Sequence, residues 1–226
     1  MPGLPHRSQD HEIPTRAGAL KVARHVPDGA KALVVLVHAE GGKKQNGRIE
    51  RALGDAGLGT LRLPLANGAE EPGPGDIAPL AERVLEAIDW TAAQPELASL
   101  PIGLFAPGRG AGVALMVAAA RTSRIGAVVA PGGRPDMAGD ALGRVEAPTL
   151  LIVGGEDQAV LDFNRNAMHQ VRAECELQIV PGAGRRFEEA GAEDTLVELT
   201  REWFQRYLAR ELGREPPASP REGGGT

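Results

Sequence analysis

The chain has a single cysteine, Cys175, so an intramolecular disulfide is impossible. It has no block of basic residues. Its net charge is −5, and Lys43-Lys44 is too short a run to be more than a solvated loop. Nucleic-acid binding is thereby disfavoured, because neutralising phosphates takes clustered Lys and Arg. The longest apolar run, Gly112 to Ala120, is short and alanine-rich, far below a membrane span. No apolar h-region follows Met1, so no secretory signal and a cytoplasmic location are expected. His6, His11 and His25 have no ligand spacing, and His169 falls in a helical pattern. No Cys/His cluster and no His-Glu-x-x-His stands anywhere, so neither a metal nor a cofactor is expected.

What is present is enough for one sizeable domain: 226 residues, 42% hydrophobic and 24% charged. Strand patterns fall on His11–Thr15, Ala19–Val26, Ala32–His38, Thr60–Leu65, Ile102–Phe105, Ile125–Val129, Thr149–Val153 and Leu177–Val180. Leu33-Val34-Val35-Leu36-Val37 is continuously apolar, as suits a parallel strand buried on both faces. Helical patterns cover Arg48–Ala56, Ile77 to Ile88, Arg109–Ala120, Val160–Val171 and Leu196 to Tyr207. Gly57 is placed to stop the first of these. Strands alternating with helices predict an α/β three-layer sandwich, a mostly parallel sheet with helices on both faces. The expected organisation is a flexible segment over 1–10, one domain over 11–212 and a disordered tail over 213–226, which is rich in Pro, Gly and charge.

The stretch Leu104-Phe105-Ala106-Pro107-Gly108-Arg109-Gly110-Ala111-Gly112 carries the most information. It reads as a buried strand, a tight glycine turn and a helix, the layout that presents a nucleophile in α/β-hydrolases. A dinucleotide loop is discounted, since the full glycine fingerprint and a placed acid after the next strand are missing. Other landmarks follow in order: Gly132-Gly133-Arg134-Pro135-Asp136, then Thr149-Leu150-Leu151-Ile152-Val153-Gly154-Gly155-Glu156-Asp157, then Val180-Pro181-Gly182-Ala183 with Phe187-Glu188-Glu189. With these in order, the chain resembles the α/β-hydrolase superfamily, and most of all its dienelactone-hydrolase-like branch.

The resemblance implies a nucleophile, an acid and a histidine in that chain order. The acid position falls on Asp157. The nucleophile position, the centre of Gly-x-Ser-x-Gly, falls on Gly108 in Ala106-Pro107-Gly108-Arg109-Gly110. The histidine position falls on Arg185, and no histidine follows His169. Glycine has nothing to attack with, and a guanidinium stays protonated at physiological pH. Hydrolysis through an acyl-serine is therefore not expected. The resemblance also implies two backbone oxyanion donors, at Arg109 and near Ala39 or Glu40, and these do not depend on side-chain identity.

The leading expectation is a degenerate-triad protein binding a small anion, a carboxylate or phosphate, at Gly108, Arg109, Ala39 and Arg185. The alternative is an enzyme of the same fold that dispenses with serine, using those donors with Glu40 or His38 for proton transfer. A third is a scaffold whose pocket is vestigial. Plainer readings stand beside these. Arg185 could simply pair with Asp157, Arg109 could point to solvent, and His38 could bond backbone in the glycine loop. Glu40 could cap a turn, and Cys175 could be inert. Ligand identity and oligomeric state are left open.

Overall fold

The computed structural model describes residues 9–38, 43–65, 73 and 75–208. One sheet of eight strands organises them: β1 (Gln9–Thr15), β2 (Gly18–His25), β3 (Leu33–His38), β4 (Gly59–Pro64), β5 (Ile102–Phe105), β6 (Ile125–Pro131), β7 (Thr149–Gly154) and β8 (Cys175–Val180). Their spatial order is β1-β2-β4-β3-β5-β6-β7-β8. The first two strands run antiparallel as a hairpin, and every pairing from β4 to β8 is parallel. The expected α/β architecture with a mostly parallel sheet is the one observed.

Five α-helices cover the two faces: α1 (Lys43–Asp55), α2 (Ala78–Ala92), α3 (Gly110–Ala120), α4 (Gln158–Met168) and α5 (Ala192–Leu208). In β3, Leu33, Val35 and Val37 join a core built with α2 and α3, while Val34 and Leu36 join the core of α1 and α5. Period-2 alternation between two apolar layers is why this strand has no polar face. Gly57, at φ +75°, ends the first helix as its sequence position predicts, with Leu58 N–H returning to the Leu53 carbonyl at 3.0 Å.

Boundaries shift by a few residues, as helix and strand ends do. Strand β1 begins at Gln9, α1 begins at Lys43 rather than Arg48, and β8 begins at Cys175 rather than Leu177. A 3₁₀ segment over Pro135–Arg144, broken at Gly139, was not anticipated from its sequence. Its alanines and glycines carry no sustained helical stripe. Ala39, Glu40, most of the Asn67–Asp76 loop, and residues 1–8 and 209–226 lie outside the described residues. Among the described residues no helix is long and apolar enough to cross a membrane.

Small residues in the central strands set how closely α5 approaches. A Cβ at Gly103 of β5 would stand 2.7 Å from both Phe204 Cε1 and Leu208 Cδ1. Phe204 is fully buried there. Replacing Phe204 by Ala removes that packing and is expected to cost about 3–5 kcal/mol. Gly103→Val overpacks the same contact and is expected to cost about 1–3 kcal/mol. Urea unfolding of the two variants checks both figures, and both midpoints fall below that of the wild type.

Candidate functional site

The carboxyl ends of the parallel strands collect the loops that the landmarks singled out. After β5, the chain turns at Gly108 with φ +60°, in the left-handed region that glycine enters without steric cost. Its N–H donates to the Pro131 carbonyl at 3.3 Å, and its own carbonyl accepts from Arg134 N–H at 2.9 Å. A Cβ at Gly108 would meet no atom within 4 Å. The turn between β5 and α3 is therefore tight and presents no side chain. Arg109 follows at the N-cap position of α3 and is half-buried. The glycine of the next turn serves packing: a Cβ at Gly112 would lie 2.9 Å from Ile77 Cδ1 and Met137 Cβ.

Asp157 follows β7 and caps α4, its Oδ1 accepting from Val160 N–H at 3.4 Å. Arg185, in the loop after β8, lies against it with two contacts. Nε donates to Oδ2 at 2.7 Å and Nη2 to Oδ1 at 3.4 Å. The Asp157 side chain is 13% exposed and that of Arg185 62%. The hydrogen bond from Arg185 holds the Asp157 carboxyl below the usual carboxylate range, against the opposing effect of burial. The same bond raises the guanidinium pKa further, so the pair is ionised at every physiological pH. The plain reading of Arg185, as the partner of Asp157, is what the geometry contains.

A second pair stands beside the first, and it carried no assigned role in the sequence. Arg134 donates from Nε and Nη2 to the two carboxylate oxygens of Asp136 at 2.8 and 2.7 Å. Its guanidinium carbon sits 4.2 Å from the centre of the Phe163 ring. The two loops are close: a Cβ at Gly132, two residues before Arg134, would lie 3.4 Å from Arg185 Cγ, and the charge of Arg134 slightly opposes that of Arg185. Asn164 ties this loop to α4 by donating to the Gly133 carbonyl at 2.9 Å. The Arg-Pro-Asp spacing was the available signal, since it allows an Arg and an Asp to form a local fork across the proline.

Of the remaining candidates, the structure places His38 and Cys175. His38 is the last residue of β3, opposite Pro64 of β4. Ala39 and Glu40 lie outside the described residues. Burial pushes the Cys175 thiol up to about 12, with Glu176 adding to the effect, so the thiolate is scarce at neutral pH. Among the described residues no group of three or more His, Cys, Asp or Glu side chains gathers as a metal site would require.

With this geometry in place, known proteins can be set beside it. No family model matches the chain. The crystal structure of a dienelactone hydrolase from Anabaena variabilis is 37% identical, with a TM-score of 0.83 over 90% of this chain and all of that one. The chain belongs to the dienelactone hydrolase family of α/β-hydrolases. An α/β serine hydrolase from Xanthomonas campestris (TM-score 0.72) and a serine hydrolase homologue from Coxiella burnetii (TM-score 0.70), both 19% identical, share the fold. A Mycobacterium tuberculosis protein, provisionally named a phosphoribosyl transferase, is 42% identical over 208 residues. That match takes in 88% of this chain and 47% of the relative, so the chain spans about half the length of this relative.

The Asp157–Arg185 pair has a testable weight. Asp157→Asn keeps a capping side chain and removes the charge. With Arg185 so exposed, it is expected to cost about 0.2–1 kcal/mol at neutral pH. Asp157→Ala also removes the cap, for a further ~1 kcal/mol. The depressed carboxyl pKa fixes the sign of the pH dependence: the contribution is present above the unfolded-state carboxylate pKa and disappears as pH falls through the lowered folded value. Urea midpoints of wild type and Asp157→Asn therefore differ at pH 7 and converge in strong acid.

Proposed function

We propose that this protein is a dienelactone-hydrolase-family member that does not hydrolyse through an acyl-serine and instead binds a small anion, a carboxylate or phosphate on an apolar body, at the elbow. The observation that carries the reading is the occupancy of two positions. Gly108 stands where the nucleophile is implied, with open space in place of a side chain, and Arg185 stands where the base is implied, clamped on Asp157. A guanidinium accepts no proton in water, so the pair cannot act as a base.

Support for an anion comes from the two arginines. Arg185 and Arg134 each spend Nε and Nη2 on a carboxylate, and neither Nη1 has a partner among the described residues. Their mutual repulsion is what an anion between them would relieve, and a planar guanidinium suits carboxylate and phosphate oxygens. Gly108 opens room beside the α3 N-terminus, whose dipole favours the same charge. The name of the mycobacterial relative adds ribose phosphates to the candidates. If the transferase of that name resides in the portion this chain does not match, a ribose phosphate would be the ligand the two portions share.

Two measurements test the proposal. The purified protein is expected to be inert to p-nitrophenyl esters and to fluorophosphonate labelling. Turnover lost in Glu40→Gln or His38→Ala would favour the serine-independent enzyme instead. In a thermal-shift panel of small carboxylates, inorganic phosphate and ribose 5-phosphate, a binder at ten times its Kd is expected to add about 1.4 kcal/mol, a rise of roughly 3–6 °C. Arg185→Ala is expected to abolish that rise. If no anion shifts the wild type, the binding half of the proposal fails.

A further inference from the structure

The sheet ends in two strands of different character. At one edge, β1 carries Asp10, Glu12 and Pro14, the charges and proline with which natural sheets guard an open edge. At the other, β8 reads Cys-Glu-Leu-Gln-Ile-Val. Its one charge, Glu176, is neutralised by Arg206 at 3.2 Å. Ile179, 43% exposed, is the only large hydrophobic residue classed as exposed among the described residues. It sits on this unguarded strand, independently of the site at the elbow.

Among the described residues, the outward backbone groups of β8 are unpaired. The Glu174 carbonyl accepts from Thr149 N–H and the Val180 carbonyl from Gly155 N–H, both at 2.9 Å. Even-numbered residues thus turn their polar groups toward β7. By strand alternation, Cys175, Leu177 and Ile179 turn theirs toward the open edge. No other segment takes up those groups among the described residues.

We propose that β8 pairs antiparallel with β8 of a second copy of this chain, joining two sheets across a two-fold axis. The strand is complementary to itself in one register. Centred on Leu177, the axis sets Leu177 opposite Leu177 of the second copy and Cys175 opposite Ile179, so one face of the junction is apolar. On the other face it sets Glu176 opposite Gln178, a pair able to hydrogen-bond. Centring on Glu176 would oppose like charges, and centring on Gln178 would leave Glu176 facing Val180. An antiparallel junction sends the two loops that follow β8 in opposite directions, so each copy keeps its own Arg185 and its own open site.

Light scattering after size exclusion and sedimentation velocity on the full chain, from low to high micromolar concentration, test this. The mass is expected to rise from one chain to two. Residue-resolved hydrogen exchange is expected to slow at the Leu177 and Ile179 amides with concentration, and not at Gln178, whose amide faces β7. Ile179→Lys places a charge at the junction. Ile179→Pro removes an outward N–H without touching the β7 ladder. Both are expected to stay single chains with wild-type circular dichroism. A single-chain mass at the highest concentration overturns the proposal. So does a dimer that survives Ile179→Pro, or one whose Leu177 amide exchanges at the same rate as in the single chain.

Discussion

The site depends on one close crossing of backbone over backbone. The carbonyl oxygens of Ala183 and Gly184 lie 2.3 and 2.4 Å from where a Cβ at Gly154 would be. The Arg185 carbonyl lies 2.6 Å from a Cβ at Gly132. Only glycines at the ends of β6 and β7 let the loop after β8 settle across them. Once it does, Arg185 has little choice of partner. Phe187 pins the far side of the loop: it is buried in the core of α1 and α5 and held at φ +54°, a conformation non-glycine residues rarely adopt. The strain at Phe187 is offset by burying an aromatic ring, and the result is a loop fixed at both ends.

That fixed loop explains why an arginine can stand at this position without disrupting the fold. Its charge would be costly to bury alone, but its side chain stays mostly in water and meets a carboxylate that is already placed by its role as a helix cap. Asp157 thus has two duties, capping α4 and holding Arg185. The first is local and needs no relative to explain it. An aspartate at this point is accordingly weaker evidence of surviving catalysis than its alignment with an acid position suggests.

The architecture was legible because it rests on periodicities. The run 33–37 announced a strand buried on both faces, and Gly57 and Gly108 marked turns that the structure realises with positive φ. The pairing of Arg185 with Asp157 was legible as one of two readings, since two residues brought to adjacent strand ends can meet. The Arg134–Asp136 fork and the 3₁₀ segment that follows it were not. Both arise from how the chain leaves β6 beneath α3 and α4, where contact with Phe163 and Asn164 decides the conformation and local pattern does not. Strand β8 was read too short at its start for a related reason. Cys175 and Glu176 precede the apolar alternation that begins at Leu177, so the sequence pattern gives no signal for the strand's first two residues.

On the proposed reading, a guanidinium in place of a titratable base changes what the scaffold can respond to. An imidazole beside Asp157 would exchange a proton near neutrality and so could couple binding to proton transfer. The Arg185–Asp157 pair holds its charges across the whole physiological range, and the hydrogen bonds to Asp136 raise the Arg134 guanidinium pKa in the same way. Each pair is neutral as a unit, yet both direct a cation toward the same neighbourhood. The outcome is a mouth whose field is constant with pH and whose donors are fixed by forks rather than by mobile side chains. Under the function proposed above, a centre of that kind would hold an anion steadily and would be poorly suited to the proton relay that hydrolysis requires.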